Sequence, residues 1–118
     1  MNYPKILTIQ DISCVGQCSL TVALPILSAA GVETCILPSA VLSTHTAGFT
    51  GFTVRDLSED IPAIAAHWRK EGISFDTVYT GYLGMQISNV LSVPGFCRFR
   101  VSTATSYLLY IQLLSLQL

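Results

Sequence analysis

Charge is scarce in this chain. Only 11% of its 118 residues are Asp, Glu, Lys or Arg, against roughly 25% in an ordinary globular domain. The six basic residues, Lys5, Arg55, Arg69, Lys70, Arg98 and Arg100, are scattered. No basic stripe is therefore available for a phosphate backbone, and nucleic acid is set aside as a partner. A secretory leader is not in evidence either. Met1-Asn2-Tyr3-Pro4-Lys5 runs straight into a short apolar segment, without the basic region, apolar core of roughly 7 to 15 residues and small-residue cleavage site that mark one. A cytoplasmic location is the expectation. The apolar C-terminal run falls short of the roughly 20 residues that a bilayer span requires, so no membrane partner is expected.

Cysteine is present but unpatterned. Cys14, Cys18, Cys35 and Cys97 are irregularly spaced, and reduced thiols are expected in a cytosolic setting. Cys14-x-x-x-Cys18 with His45 and His67 matches no common zinc spacing, and no second Cys pair exists. Gly48-x-x-Gly51 is not followed by Lys, which excludes a P-loop. No Gly-x-Ser-x-Gly elbow occurs, which removes a Ser-His-Asp hydrolase of that kind.

Hydrophobic residues make up 51% of the chain and mean hydropathy is +0.57. One domain with one core fits the length, in a sheet covered on both faces or against a partner. Lys5–Ile9 reads as a central strand, followed by a loop from Gln10 to Gln17. Ser19 can cap a helix to Ala30, with Leu20, Leu24 and Leu27 on one face, Gly31 as its stop and Pro25 kinking it or delaying its start. A second strand, Thr34–Leu37, ends at Pro38. Strand, helix and strand within about thirty residues form a βαβ unit, so the sheet is expected to be parallel. Asp56-Leu57-Ser58-Glu59 has the form of a capping box opening a helix through Ile61, Ile64, Ala65 and Trp68 to Gly72. His67 belongs to that helix as a surface or groove residue. Phe75–Thr80 reads as a third strand delivering Gly81-Tyr82-Leu83-Gly84 to the same sheet edge. The fold class is α/β, a parallel sheet with flanking helices.

The stretch from Leu37 to Phe52 gathers hydroxyl side chains and His45 into a segment spaced by Gly48 and Gly51. It reads as half of a binding site, with the loop Gln10–Gly16 as the other half, because ligands of open α/β sheets sit beyond the carboxyl ends of the strands. Asp11 can accept a hydrogen bond from a hydroxyl. His45 and Thr46 can bond a ring substituent, and Tyr82 can stack on or cover it, which together suit a polar aromatic or sugar-like ligand. Structural duties are open to the same residues: Asp11 capping a turn, Thr46 bonding its own backbone, Tyr82 packing at a strand end.

After Gly84 the character changes. All seven acidic residues, at 11, 33, 56, 59, 60, 71 and 76, precede it, whereas residues 85–118 hold only Arg98 and Arg100. The expected division is residues 1–84 as the part carrying the pocket and 85–118 as an aberrant apolar tail, such as an out-of-frame read gives. Poor solubility of the isolated chain is expected, since exposed sheet edges and apolar faces would be left uncovered.

Ile6 to Gly16, Ser43-Thr44-His45-Thr46 with its following Gly and Phe residues, and Tyr79-Thr80-Gly81-Tyr82-Leu83-Gly84 resemble the N-terminal part of the pyridoxal (pyridoxamine) kinases, members of the ribokinase-like superfamily. The resemblance runs from about Lys5 to Gly84. It implies a ribokinase-like fold that is incomplete, its C-terminal nucleotide-binding half missing. It also implies ATP- and Mg2+-dependent phosphorylation of the hydroxymethyl group of pyridoxal, pyridoxine or pyridoxamine, a vitamin B6 salvage step giving pyridoxal 5'-phosphate. The resemblance further implies a homodimer for the full-length protein. The vitamin site would comprise Asp11, Leu42 as an apolar wall, the His45-Thr46 pair and Tyr82. Asp11 stands where many members have a Ser that bonds the pyridine ring.

The family's Asp-Pro-Val-Met-Gly-Asp-like strand end and its Gly-Thr-Gly-Asp segment have no counterpart here, so the resemblance assigns no catalytic residue and no metal ligand. Phosphoryl transfer rests on positioning and charge stabilisation, and the chain is expected to be an inactive vitamin-site fragment. Two rivals share the residues: a hydroxymethylpyrimidine kinase of thiamine synthesis, and a non-catalytic small-molecule binding fragment.

Overall fold

The computed structural model of the chain describes residues 3–81 and the backbone of residues 101–103. Its elements, in order, are β1 (Lys5–Ser13), α1 (Leu20–Ala29), β2 (Glu33–Leu42), β3 (Val54–Asp56), α2 (Ile61–Lys70), β4 (Thr77–Thr80) and β5 (Val101–Thr103). They form one sheet in the order β3-β2-β1-β4-β5. β1 pairs in parallel with β2 and β4, and β4 with β5, as a chain of alternating strands and helices dictates. The short β3 joins β2 antiparallel, which the sequence pattern did not announce. Ser43 accounts for it. Its N–H donates to the Thr53 carbonyl at 3.0 Å and its Oγ accepts the Thr53 N–H at 2.8 Å, folding the chain back along β2.

Both central strands outrun their expected ends. β1 continues through Gln10 to Ser13, and β2 continues through Pro38 to Leu42. Pairing passes from Gln10↔Pro38 to Ile12↔Val41, so Ser39 and Ala40 together lie opposite Asp11. That is a β-bulge on β2, one of the few places where a strand tolerates a residue with no N–H to give.

The helices differ from the sequence reading at their starts. Ser19, at φ 51°, makes no side-chain cap on α1. Thr21 closes the turn instead, its Oγ1 accepting the Cys18 N–H at 3.1 Å and donating to the Cys18 carbonyl at 2.9 Å. α1 runs through Pro25, which is exposed, and buries Leu20, Ala23 and Leu27, while Leu24 is only half-buried. α2 begins at Ile61, not at Asp56. Asp56 ends β3, and its Oδ1 accepts the Ser58 N–H at 2.7 Å in an Asx turn. Pro62 occupies the first turn of α2, where its missing N–H is no loss. His67, Arg69 and Lys70 fill the last turn, in accord with the helix dipole. His67 is exposed, its Nε2 3.9 Å from Glu71.

The main core lies between the sheet and α2: Leu7, Ile9, Leu37, Ile61, Ala65, Phe75 and Val78 are buried together. Phe75 belongs to this core although β4 starts only at Thr77, and it meets Trp68 edge to face at 5.3 Å. Burying a Leu or Ile of this kind contributes about 1.5–3 kcal/mol. On the other face Ala23, Tyr79 and Ile6 pack together. At the amino ends of the strands Lys5 and Asp76 exchange hydrogen bonds at 2.8 and 2.9 Å, and Lys5 Nζ lies 3.3 Å from Glu33. Among the described residues no helix is long and apolar enough to cross a membrane. The tail expected from residue 85 lies outside the described residues, apart from the backbone of Val101–Thr103.

Candidate functional site

Beyond the core, at the carboxyl ends of β1 and β2, the sheet carries a cleft of about 380 Å³. Side chains alternate along a strand, so Asp11 and Ser13 continue the face on which Leu7 and Ile9 are buried. They line the cleft beside Ala40 and Leu42 of β2 and Val54 and Asp56 of β3. His45 and Thr46, in the loop that Ser43 and Thr53 close, line it as well. So do Cys18 and Ser19 at the start of α1, Ser39 in the bulge and Ser58 ahead of α2.

Two loops are locked together at the rim. The Cys14 N–H donates to the Leu42 carbonyl at 2.8 Å and the His45 N–H to the Val15 carbonyl at 3.0 Å. The His45 ring lies directly over Gly16, where a β-carbon would overlap it. Gly16 also has φ 92°, a conformation that L side chains rarely adopt. Phe49 also packs against the His45 ring, in a T-shaped pair with centroids 5.1 Å apart. β4 reaches the same rim, with the Gly81 N–H donating to the Ile9 carbonyl at 3.0 Å.

The polar chemistry of the lining is uneven. Ser13 is only 2% exposed, and its Oγ has no hydrogen-bond partner among the described residues. A buried hydroxyl left unpaired costs about 1–3 kcal/mol, so a ligand offering a partner would relieve it. Asp56 is held below the usual carboxylate range by hydrogen bonds from Ser58, its hydroxyl first and its backbone N–H second. Leu42, 8% exposed, supplies an apolar wall.

Four of the five residues singled out in the sequence, Asp11, Leu42, His45 and Thr46, thus line one cleft. Tyr82 lies outside the described residues. Ser13 and Ser39 lie inside the two segments expected to form the site without being singled out, and Cys18 and Asp56 lie outside them. Ser13 was hidden by reading Gln10–Gln17 as a loop; two residues after Asp11 on a strand, it shares that residue's face. The sequence pattern gives Asp56 the form of a helix cap. The described residues do not fit ATP or Mg2+: no group of three or more His, Cys, Asp or Glu forms among them, and no Lys or Arg lines the cleft. Cys14, Cys18 and Cys35 are free thiols.

The chain has, in part, the ribokinase-like α/β fold. No protein-family model and no curated protein sequence matches it. Among solved structures it is similar to a protein of Bacteroides thetaiotaomicron assigned to the phosphomethylpyrimidine kinases and crystallised with pyridoxal. The two are 38% identical with a TM-score of 0.74, over 86% of this chain and 37% of that one. It is likewise similar to pyridoxal kinase from Lactobacillus plantarum, 34% identical with a TM-score of 0.72, over 89% of this chain and 36% of that one. Pyridoxal kinase from Leishmania donovani, in complex with ADP and pyridoxamine, shares the fold at 22% identity and a TM-score of 0.62, over 66% of this chain and 27% of that one. The chain therefore spans little more than a third of the first solved structures that it matches.

Proposed function

We propose that the chain is the vitamin-binding part of a kinase that phosphorylates the hydroxymethyl group of pyridoxal, pyridoxine or pyridoxamine. The observation that carries this reading is the meeting of Asp11, Leu42, His45 and Thr46 in one cleft at the carboxyl ends of parallel strands, where open α/β sheets bind ligands. Its volume of about 380 Å³ suits a small substituted ring. Similarity to a structure crystallised with pyridoxal supports the choice of ligand. In this reading Asp11 accepts a hydrogen bond from the ring or its substituents, His45 and Thr46 bond a second substituent, and Leu42 packs against the ring. Tyr82 would complete the site beyond Gly81.

ATP and Mg2+ are the co-reactants that such a kinase uses. The described residues do not fit either, so the role of this part is to bind and orient the vitamin. A hydroxymethylpyrimidine substrate is the second reading, favoured by the assignment of the Bacteroides protein to the phosphomethylpyrimidine kinases. A cytoplasmic location is part of the proposal. Isothermal titration of the chain with pyridoxal and with 4-amino-5-hydroxymethyl-2-methylpyrimidine, beside an ATP-turnover assay, tests it. Saturable pyridoxal binding that His45→Ala weakens about tenfold, without ATP turnover, is the expected result; about tenfold is one to two hydrogen bonds' worth. Absence of saturable pyridoxal binding would overturn the reading, and tighter binding of the pyrimidine would replace it with the second.

A further inference from the structure

We infer that Phe49 is a positioning residue: it acts on the ligand through the His45 ring, which it holds over Gly16 in one orientation. The inference rests on the reading of this cleft as the vitamin site, in which His45 bonds a ring substituent. Phe49 is 43% exposed and belongs to neither buried apolar cluster. It does not line the cleft either, whereas His45 and Thr46 do. Its aromatic partner among the described residues is His45, with centroids 5.1 Å apart and ring planes at 83°. The local sequence is built for that contact. His45-Thr46-Ala47-Gly48-Phe49 reverses in a turn at Ala47 and Gly48, where Gly48 takes φ 80°, a value that suits glycine. The turn returns Phe49 to the residue four before it, and the hydrogen bonds between Ser43 and Thr53 close the loop that carries both.

Three restraints meet on one side chain. The bond from the His45 N–H to the Val15 carbonyl fixes the backbone. Gly16, having no β-carbon, leaves the room that the ring occupies: one placed there would overlap Cδ2, Cγ and Nε2 of His45. What remains is rotation of the imidazole, whose terminal torsion is intrinsically broad. The Phe49 ring removes that freedom, because turning the imidazole breaks the edge-to-face arrangement that aromatic pairs prefer. Such a pair biases one orientation over another by about two- to tenfold. Apparent affinity scales with the fraction of the site already in its binding arrangement. The same factor should therefore appear in pyridoxal binding, although Phe49 is not among the residues that line the cleft.

The test is a double-mutant cycle read by isothermal titration with pyridoxal: wild type, Phe49→Leu, His45→Ala and the double variant, with Phe49→Tyr as the variant that keeps the ring. Phe49→Leu should weaken binding about fivefold and Phe49→Tyr less than about twofold. On the His45→Ala background Phe49→Leu should cost nothing further, because a residue that acts only through another is not additive with it. In NMR spectra the imidazole signals of His45 should move in Phe49→Leu, while those of the exposed His67, the other histidine of the chain, stay in place. A loss that persists without His45 means that Phe49 acts on the ligand by another route, and overturns the inference. So does wild-type affinity in Phe49→Leu, or a Phe49→Tyr variant as weak as Phe49→Leu. In each of those outcomes the vitamin site stands; if the wild-type chain does not bind pyridoxal, both fall.

Discussion

β1 and β2 each carry two different surfaces. Towards their amino ends, Leu7, Ile9 and Leu37 are buried under α2 beside Ile61, Ala65 and Phe75. Past the bulge at Ser39–Ala40 the same face presents Asp11, Ser13, Leu42 and, on the neighbouring β3, Asp56. The lower half is closed by apolar contact. The upper half holds a hydroxyl that is buried and unpaired among the described residues, a ring held against a glycine, and two carboxylates on one cleft. One pair of strands thus supplies both the apolar core and the polar cleft, and the bulge is where one gives way to the other.

Substitutions in the two halves should separate these roles. Leu7→Ala, in the lower half, should cost about 2–5 kcal/mol by leaving a cavity, read as a lowered urea midpoint. A loss under about 1 kcal/mol would mean that the core is not where the stability lies. Gly16→Ala forces a methyl into the His45 ring and an L side chain into φ 92°. About 1–3 kcal/mol of strain is expected, together with a loss of pyridoxal affinity of about tenfold or more. Trp68 fluorescence, which reports the core, should not move. Ser13→Ala should leave stability unchanged or raise it by about 1 kcal/mol, because it removes an unsatisfied buried hydroxyl. Pyridoxal binding should weaken about fivefold, the worth of one hydrogen bond. A variant weaker in both stability and binding would erase the contrast between the halves.

The smallest effect concerns pH. Burial pushes the Tyr79 phenol above its ordinary 10.0, and burial followed by the Glu33 carboxylate pushes the Cys35 thiol above its ordinary 9.0. The folded chain therefore holds these protons longer than the unfolded one. Stability should be intact below pH 9 and fall as pH rises through the two raised values. Asp56 behaves oppositely: its carboxyl is lowered, so its contribution is present above the usual carboxylate range and is lost as pH falls through the lowered value. Urea midpoints across pH should thus show an alkaline loss from the core, with a smaller acid loss from the exposed Asp56.

The core was legible because its elements carry plain apolar patterns. Lys5–Ile9 is the short, nearly continuous apolar run of a central strand, and Ile61, Ala65 and Trp68 recur at helical spacing. The cleft was legible in its residue types but not in its frame. Asp11 is a poor strand former, and Pro38 conventionally ends a strand. Tertiary pairing overrode both, through a bulge that no local pattern announces. Asp56 satisfied the rule for a helix cap, and only the antiparallel return of Val54–Asp56 to β2 shows that it closes a turn at the cleft instead. Thr21 in place of Ser19 as the side chain closing the α1 turn is a similar case: both are hydroxyls within reach, and backbone geometry at Ser19 decides between them.

The most direct measurement is an amide NMR titration of the chain with pyridoxal. Shifts concentrated at Asp11, Ser13, Ser39, His45, Thr46 and Asp56, with Leu7, Ala65 and Val78 unmoved, are the predicted result. Shifts spread over the core, or none at saturating pyridoxal, would contradict a vitamin site at the carboxyl ends of these strands.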